Sequence, residues 1–202
     1  MLPVLPPHAP GMRIGLFGGS FDPPHRGHVT ASETARHRLQ LDSVWWLATP
    51  GNPLKEVRPS EDLATRIHLA EAMTSGRHIA VTGIEDAIGS RFTADTIAWI
   101  ARRLRSARLV WVMGADNLVG FHRWQDWRRI AELVPIAVVD RPGSTLAALA
   151  APAARQLRRV RIPERLAPQL PDMRPPAWVF LHGPRINLSS TEIRQVRDRQ
   201  SS

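Results

Sequence analysis

Apolar residues along this chain fall into two spacings. Unbroken runs such as "LVWVM" and "IAVV" read as strands buried on both faces, since a half-exposed strand would alternate. They predict strands over 13–18, 43–48, 78–82, 108–113, 136–140 and 178–182. Between them apolar positions recur at helical spacing. The pattern is clearest over 93–105, where Ile97, Ile100, Ala101 and Leu104 share one face. Further helices are expected over 27–40, 60–75, 117–133, 144–158 and 190–199. Strand–helix alternation of this kind predicts an α/β fold, a single Rossmann-like, doubly wound parallel sheet with helices on both faces. The stretch 163–176, "PERLAPQLPDMRPP", carries five prolines and is expected to be a surface loop, with its mobility left open.

Composition narrows the class. A chain of 202 residues with 43% hydrophobic content suits one α/β domain, here 12–202, preceded by a flexible proline-rich leader over 1–11. The leader lacks the charged and apolar regions of a secretory signal, and no apolar run approaches the roughly 20 residues of a membrane span. The absence of cysteine excludes disulfides, thiolate metal sites and a cysteine nucleophile. A cytoplasmic protein without a membrane partner is the expectation. The net charge of +9 attracts polyanions. Lys55 is the only lysine, so the excess is an arginine bias that base composition alone can produce. Zinc-ligand spacing and aromatic RNA-binding signatures are missing, so no nucleic-acid partner is expected.

In a doubly wound sheet, ligands bind beyond the carboxyl ends of the strands, where strand order reverses. The unusual polar residues of this chain stand just after its predicted strands. After the first comes "GGSFDPPHRGH", after the second "TPGNPLKE", after the fourth "GADN", after the fifth "DRPG", and after the last "GPRINLSSTEIR". The glycine turn Gly18–Gly19, running on through Ser20 and Phe21, lets backbone N–H groups approach an anion. His25 and His28 lie on one side of the first turn of the following helix, whose unpaired amides face the same space. Together these groups suit a polyphosphate. A zinc site would need a third ligand at suitable spacing, and none is present.

"GGSFDPPHRGH" resembles the H-x-G-H signature of the nucleotidyltransferase superfamily, whose members attack the α-phosphate of a nucleoside triphosphate and release pyrophosphate. Its second signature, an "ISSTxIR"-like element, is matched by "NLSSTEIR" at 187–194. Read from its residues alone, Ser189–Glu192 forms a capping box. Ser190, Thr191 and Arg194 add hydroxyls and a guanidinium for phosphate oxygens. Within the superfamily, "TPGNPLK", "RFTADTI", "GADNLVGFHRWQDW" and "DRPG" resemble segments of the bacterial nicotinate-nucleotide adenylyltransferase family. The resemblance covers nearly the whole chain from Arg13 to Arg194.

It implies an ATP site of Gly18, Gly19, Ser20, Phe21, His25, His28, Gly114, Asp116, Ser190, Thr191 and Arg194. Of these His25, His28 and Arg194 would be catalytic. A nicotinate-nucleotide site of Lys55, Thr93, Trp124 and Gln125 is implied as well. Trp124 would stack on the pyridine ring, and Thr93 with amides near 93 and 125 would hold its carboxylate. Asp116 would bind ribose hydroxyls beside Gly114. ATP and nicotinate mononucleotide would be the substrates, with Mg²⁺ bound through ATP phosphates and no protein metal site. Competing readings stay open for several residues. Trp124 and Trp127 read equally as core on one helix, Asp116 as a helix cap, and Lys55 as a solvated lysine. A sister enzyme using nicotinamide mononucleotide or phosphopantetheine, and a non-enzymatic basic nucleic-acid binder, are the alternatives. The oligomeric state is open. The chain departs from the family in having Phe92 before Thr93 where tyrosine is usual and "NPLK" for "PPHK", and a tail shorter than many members carry is expected after Arg194.

Overall fold

A computed structural model describes residues 3–51, 59–141 and 143–183. Six strands form one parallel sheet: β1 (Arg13–Gly19), β2 (Ser43–Ala48), β3 (Ile79–Thr82), β4 (Arg108–Gly114), β5 (Ile136–Val139) and β6 (Trp178–Leu181). Their order is β3-β2-β1-β4-β5-β6, which puts the reversal between β1 and β4. There Phe17 pairs with Val112, so the glycine turn emerges beside the end of β4.

Period-two alternation explains why the strands read as unbroken apolar runs. Ile14, Leu16, Trp45, Trp111 and Val138 point to one face, where α4 (Thr93–Arg103) and α6 (Trp127–Leu133) add Ile97, Ile100 and Ile130. Phe17, Val44, Trp46, Val112 and Val139 point to the other. There α1 (Arg26–Leu39) supplies Ala31 and Ala35, and α2 (Leu63–Thr74) supplies Ala70. Trp45 and Trp46, adjacent in sequence, therefore sit in opposite cores. The doubly wound expectation holds.

Three expectations need correction. The segment 163–176 is not simply a surface loop. Glu164–Asp172 forms 3-10 turns that bury Ala167, Leu170 and Pro171 against the second core. Its ends are pinned by Glu164 to Arg38 and His182, and by Asp172 to Arg13 and Arg108. Prolines that forbid an α-helix still permit this tighter cover. The helix expected over 117–133 is two: α5 (Ala115–Gly120) runs into a 3-10 turn (Phe121–Arg123), and α6 starts only after Asp126, whose φ is +51°. The break lets α5 pack on α7 (Thr145–Leu149) and α8 (Pro152–Gln156) while α6 packs on α4. Likewise 144–158 divides, because Pro152 starts α8 where a continuous helix would need its N–H. The short α3 (Ile84–Ala87), between Gly83 and Gly89, was not foreseen.

Residues of the leader contact the domain. Pro6 is buried, Leu5 packs on the first core and His8 meets Trp45 edge-on at 6.1 Å. Among the described residues no helix is long and apolar enough to cross a membrane.

Candidate active site

The turn after β1 is held in an unusual conformation by side chains. Phe21 is fully buried with φ +47°, a left-handed value that costs a bulky residue about 1–3 kcal/mol. Its ring stacks on Trp46 at 4.5 Å and 6°, which keeps it there. Gly18 is required by space, since a Cβ would stand 2.6 Å from Cη2 of Trp111. At Gly19 a Cβ would crowd the Phe21 ring at 3.1 Å.

His25 is the N-cap of α1, buried, and its Nδ1 accepts from the Gly27 amide at 3.1 Å. Nδ1 of His28 accepts from the His25 amide at 3.2 Å. The two rings lie 3.8 Å apart at 29°. A ring nitrogen that accepts from an amide carries no proton, so each imidazole holds its N–H at Nε2. Phe17, Phe21 and Trp46 surround the His28 ring edge-on, at 6.1, 4.9 and 5.8 Å. The sequence pattern pointed to two imidazoles on one side of a turn. It did not reveal that both cap the start of α1, with the Gly27 amide fixing the tautomer of His25 and the His25 amide that of His28.

At the end of β4, Gly114 is the N-cap of α5 and a Cβ there would collide with Oδ1 of Asp116. Asp116 stands in the first turn of α5 and not at its cap position; its carboxylate is exposed and lies 3.5 Å from Nε of Arg141. Arg141, in the "DRPG" segment, is a candidate site residue to which the sequence reading gave no role.

The residues expected on the pyridine side come from two more elements. Thr93 is the first residue of α4, where Phe92 caps with no side-chain bond. The opening of that helix is thus a place where backbone amides are not taken by a capping side chain. Trp124 lies in the break before α6, half-buried, with Gln125 exposed beside it and Trp127 buried in the core. The two tryptophans are therefore not neighbours on one helix. Trp124 stands edge-on to Trp111 at 6.2 Å and to Phe121 at 5.4 Å. Asp95 and Arg129 meet at 3.5 Å, tying the first turn of α4 to α6. Trp111 in turn lies against Gly18, so one buried indole touches both halves of the candidate site.

Behind the loops stand three buried charged groups that the sequence reading passed over. Asp22 accepts from the amide and hydroxyl of Ser60, at 2.9 and 2.6 Å. Arg66 donates only to backbone carbonyls among the hydrogen bonds of the described residues. Burial raises the Glu85 carboxyl from 4.5 to about 7, with the Thr49 hydroxyl opposing the rise. The signal for Arg66 was in the sequence: it is in phase with Ala70 and Thr74 on the buried stripe of α2. Lys55, Ser190, Thr191 and Arg194 lie outside the described residues.

The cytidylyltransferase-like family model matches residues 16–196. The "Probable nicotinate-nucleotide adenylyltransferase" of Rhizobium meliloti is 53% identical, with 92% of this chain and 99% of that protein covered. A protein of the same name from Methylorubrum extorquens is 54% identical, over 91% and 99%. Among solved structures, a Plasmodium falciparum nicotinic acid mononucleotide adenylyltransferase complexed with NaAD superposes with a TM-score of 0.66. It is 14% identical, with coverage of 94% and 89%. That likeness speaks to the fold.

Proposed function

The chain belongs to the nicotinate-nucleotide adenylyltransferase family. On that premise we propose that it transfers the adenylyl group of ATP to nicotinate mononucleotide, giving deamido-NAD and pyrophosphate. The observation that carries the reading is the reciprocal cap at the start of α1. It holds two Nε2–H donors at the point of the sheet where strand order reverses.

A phosphate oxygen of nicotinate mononucleotide attacks the α-phosphorus of ATP, the bond to the β-phosphate breaks, and pyrophosphate leaves with the electron pair. The attacking phosphate is already ionised at neutral pH, so no general base is required. Catalysis is positioning plus stabilisation of developing negative charge. His28 meets the α-phosphoryl oxygens and His25 the ATP phosphates, together with the amides of Gly18, Gly19, Ser20 and Phe21. Arg194 with Ser190 and Thr191 holds the leaving pyrophosphate. Gly114 and Asp116 receive the ribose. Trp124 stacks on the pyridine ring; Thr93 and the Gln125 amide take its carboxylate, and Lys55 serves the acceptor loop.

Mg²⁺ fits this arrangement as an ion carried by ATP. Asp22 is engaged by Ser60, and among the described residues no three acidic or imidazole groups converge. Phosphate oxygens would supply its ligands, and it would neutralise charge on the transferred group.

The test is pyrophosphate release from ATP and Mg²⁺ with nicotinate mononucleotide, nicotinamide mononucleotide, phosphopantetheine or no acceptor. A strong preference for nicotinate mononucleotide is expected. Equal or better use of another acceptor discards the pocket of Thr93 and Trp124. Silence with every acceptor discards the reaction.

A further inference from the structure

Arg66 is a guanidinium with 1% of its surface exposed, and none of its hydrogen bonds within the described residues goes to a carboxylate. Nη1 donates to the carbonyls of Ser20 and Thr49 at 2.5 and 2.8 Å. Nη2 donates to that of Pro50 at 3.4 Å and Nε to that of Glu61 at 3.1 Å. Taking a charge out of water is expensive: the nearby carboxylates of Asp22 and Asp62 favour the guanidinium, but burial outweighs them and holds it below its ordinary range. What the fork obtains is geometric. Ser20 belongs to the turn after β1, Thr49 and Pro50 to the loop after β2, and Glu61 to the approach to α2. One nitrogen bridges the first two.

The direction of those carbonyls matters for substrate. In a trans peptide the carbonyl and the following N–H point opposite ways. Holding the Ser20 oxygen toward Arg66 therefore aims the Phe21 amide away from it. Holding the Pro50 oxygen aims the Gly51 amide in the same sense. Phe21, with its left-handed φ, is where the turn would otherwise relax.

Resting on the adenylyl-transfer reading above, we propose that Arg66 is a positioning residue that locks the ATP-side turn after β1 to the acceptor-side loop after β2. It sets the alignment of the two substrates without touching either. A planar fork can serve carbonyls on separate segments, whereas the compact ammonium of lysine cannot reproduce that spread.

The test uses the full chain and compares wild type with Arg66→Lys and Arg66→Met. Each is measured for circular dichroism, for calorimetric affinity for a non-hydrolysable ATP analogue and for nicotinate mononucleotide separately, and for turnover. For Arg66→Lys the expected result is a native spectrum and separate affinities close to wild type. Its kcat should fall on the order of 10- to 100-fold, the cost of a small misplacement of reacting groups. Arg66→Met, if folded, should lose at least as much.

Wild-type kcat per folded molecule in Arg66→Lys would overturn the proposal. So would a loss expressed fully in one substrate's separate affinity, or failure of both variants to fold, since either makes Arg66 a purely local or structural residue. A wild-type protein with no turnover on any acceptor would instead overturn the reaction itself. The two failures are thus distinguishable.

Discussion

The hydrogen bonds that orient His25 and His28 span two and three residues of sequence. The contacts that hold α4, which opens at Thr93, and the segment at Trp124 join elements far apart in the chain: Asp95 on α4 with Arg129 on α6, and Trp111 on β4 with Trp124. A site half built by local caps tolerates change elsewhere in the fold, because a helix start carries its own geometry with it. A half built by packing is only as firm as the core beneath it. The two halves should therefore fail differently. Damage at the histidine turn should appear in turnover with the fold intact, and damage on the acceptor side should mix binding with stability.

His28→Ala is the strongest way to break the first half of that comparison. Loss of a preorganised donor at a developing charge commonly lowers kcat by about 10² to 10³, or roughly 3–4 kcal/mol. The expected outcome is a fall of that size with melting temperature and substrate KM values little changed. Turnover near wild type would remove His28 from the α-phosphate. A large drop in melting temperature would show that its cap and aromatic contacts, not its Nε2–H, are what matter.

The loop after β2, proposed above to serve the acceptor, has a pH-dependent support built on a buried acid. Glu85 is buried near Thr49, at the root of the loop after β2, and its carboxyl titrates at about 7 instead of 4.5. The folded protein therefore holds a proton that the unfolded chain releases. This favours the native state below about pH 4.5, and the advantage is lost progressively as pH rises through 7. The difference corresponds to on the order of 3 kcal/mol. Glu85→Gln keeps a neutral side chain at every pH. It should be more stable than wild type at pH 8 and nearly equal at pH 4.5, read as denaturant midpoints. An unchanged pH dependence in the variant would mean that Glu85 is solvated or paired when ionised.

How much of this was legible in the sequence follows the same division. The strand runs, the glycine turn and the spacing of His25 and His28 are contiguous, so period and motif were enough to place them at a strand end. The merged helix over 117–133 was misread because its apolar spacing continues across a break imposed by tertiary packing. α5 and α6 face different neighbours, and Asp126 turns left-handed to allow it. The helix expected over 144–158 was likewise read as continuous, although Pro152 marks its break. The buried roles of Arg66 and Glu85 depend on loops that meet only after the sheet forms. The prolines of 163–176 suggested a surface loop, but prolines also shape a tight 3-10 cover, and Ala167, Leu170 and Pro171 supply an apolar face that the loop reading overlooked.

Trp124→Ala probes the acceptor half with the smallest expected effect. The ring is half-buried, edge-on to Trp111 and Phe121. Only part of its surface is therefore committed to the core. Stacking of a cationic pyridine on an indole is worth about 1–2 kcal/mol in a partly desolvated site. The expected change is a rise of roughly 5- to 30-fold in KM for nicotinate mononucleotide, with KM for ATP unmoved. Trp124→Phe should recover most of it. Because Trp111 also lies against Gly18, the truncation has a route to the ATP side through packing. An equal rise in both KM values would show that this route dominates, and that the two halves of the site share one core more closely than their construction suggests. A lower melting temperature with neither KM moved would make Trp124 a packing residue and leave the carboxylate end, at Thr93, to account for acceptor choice alone.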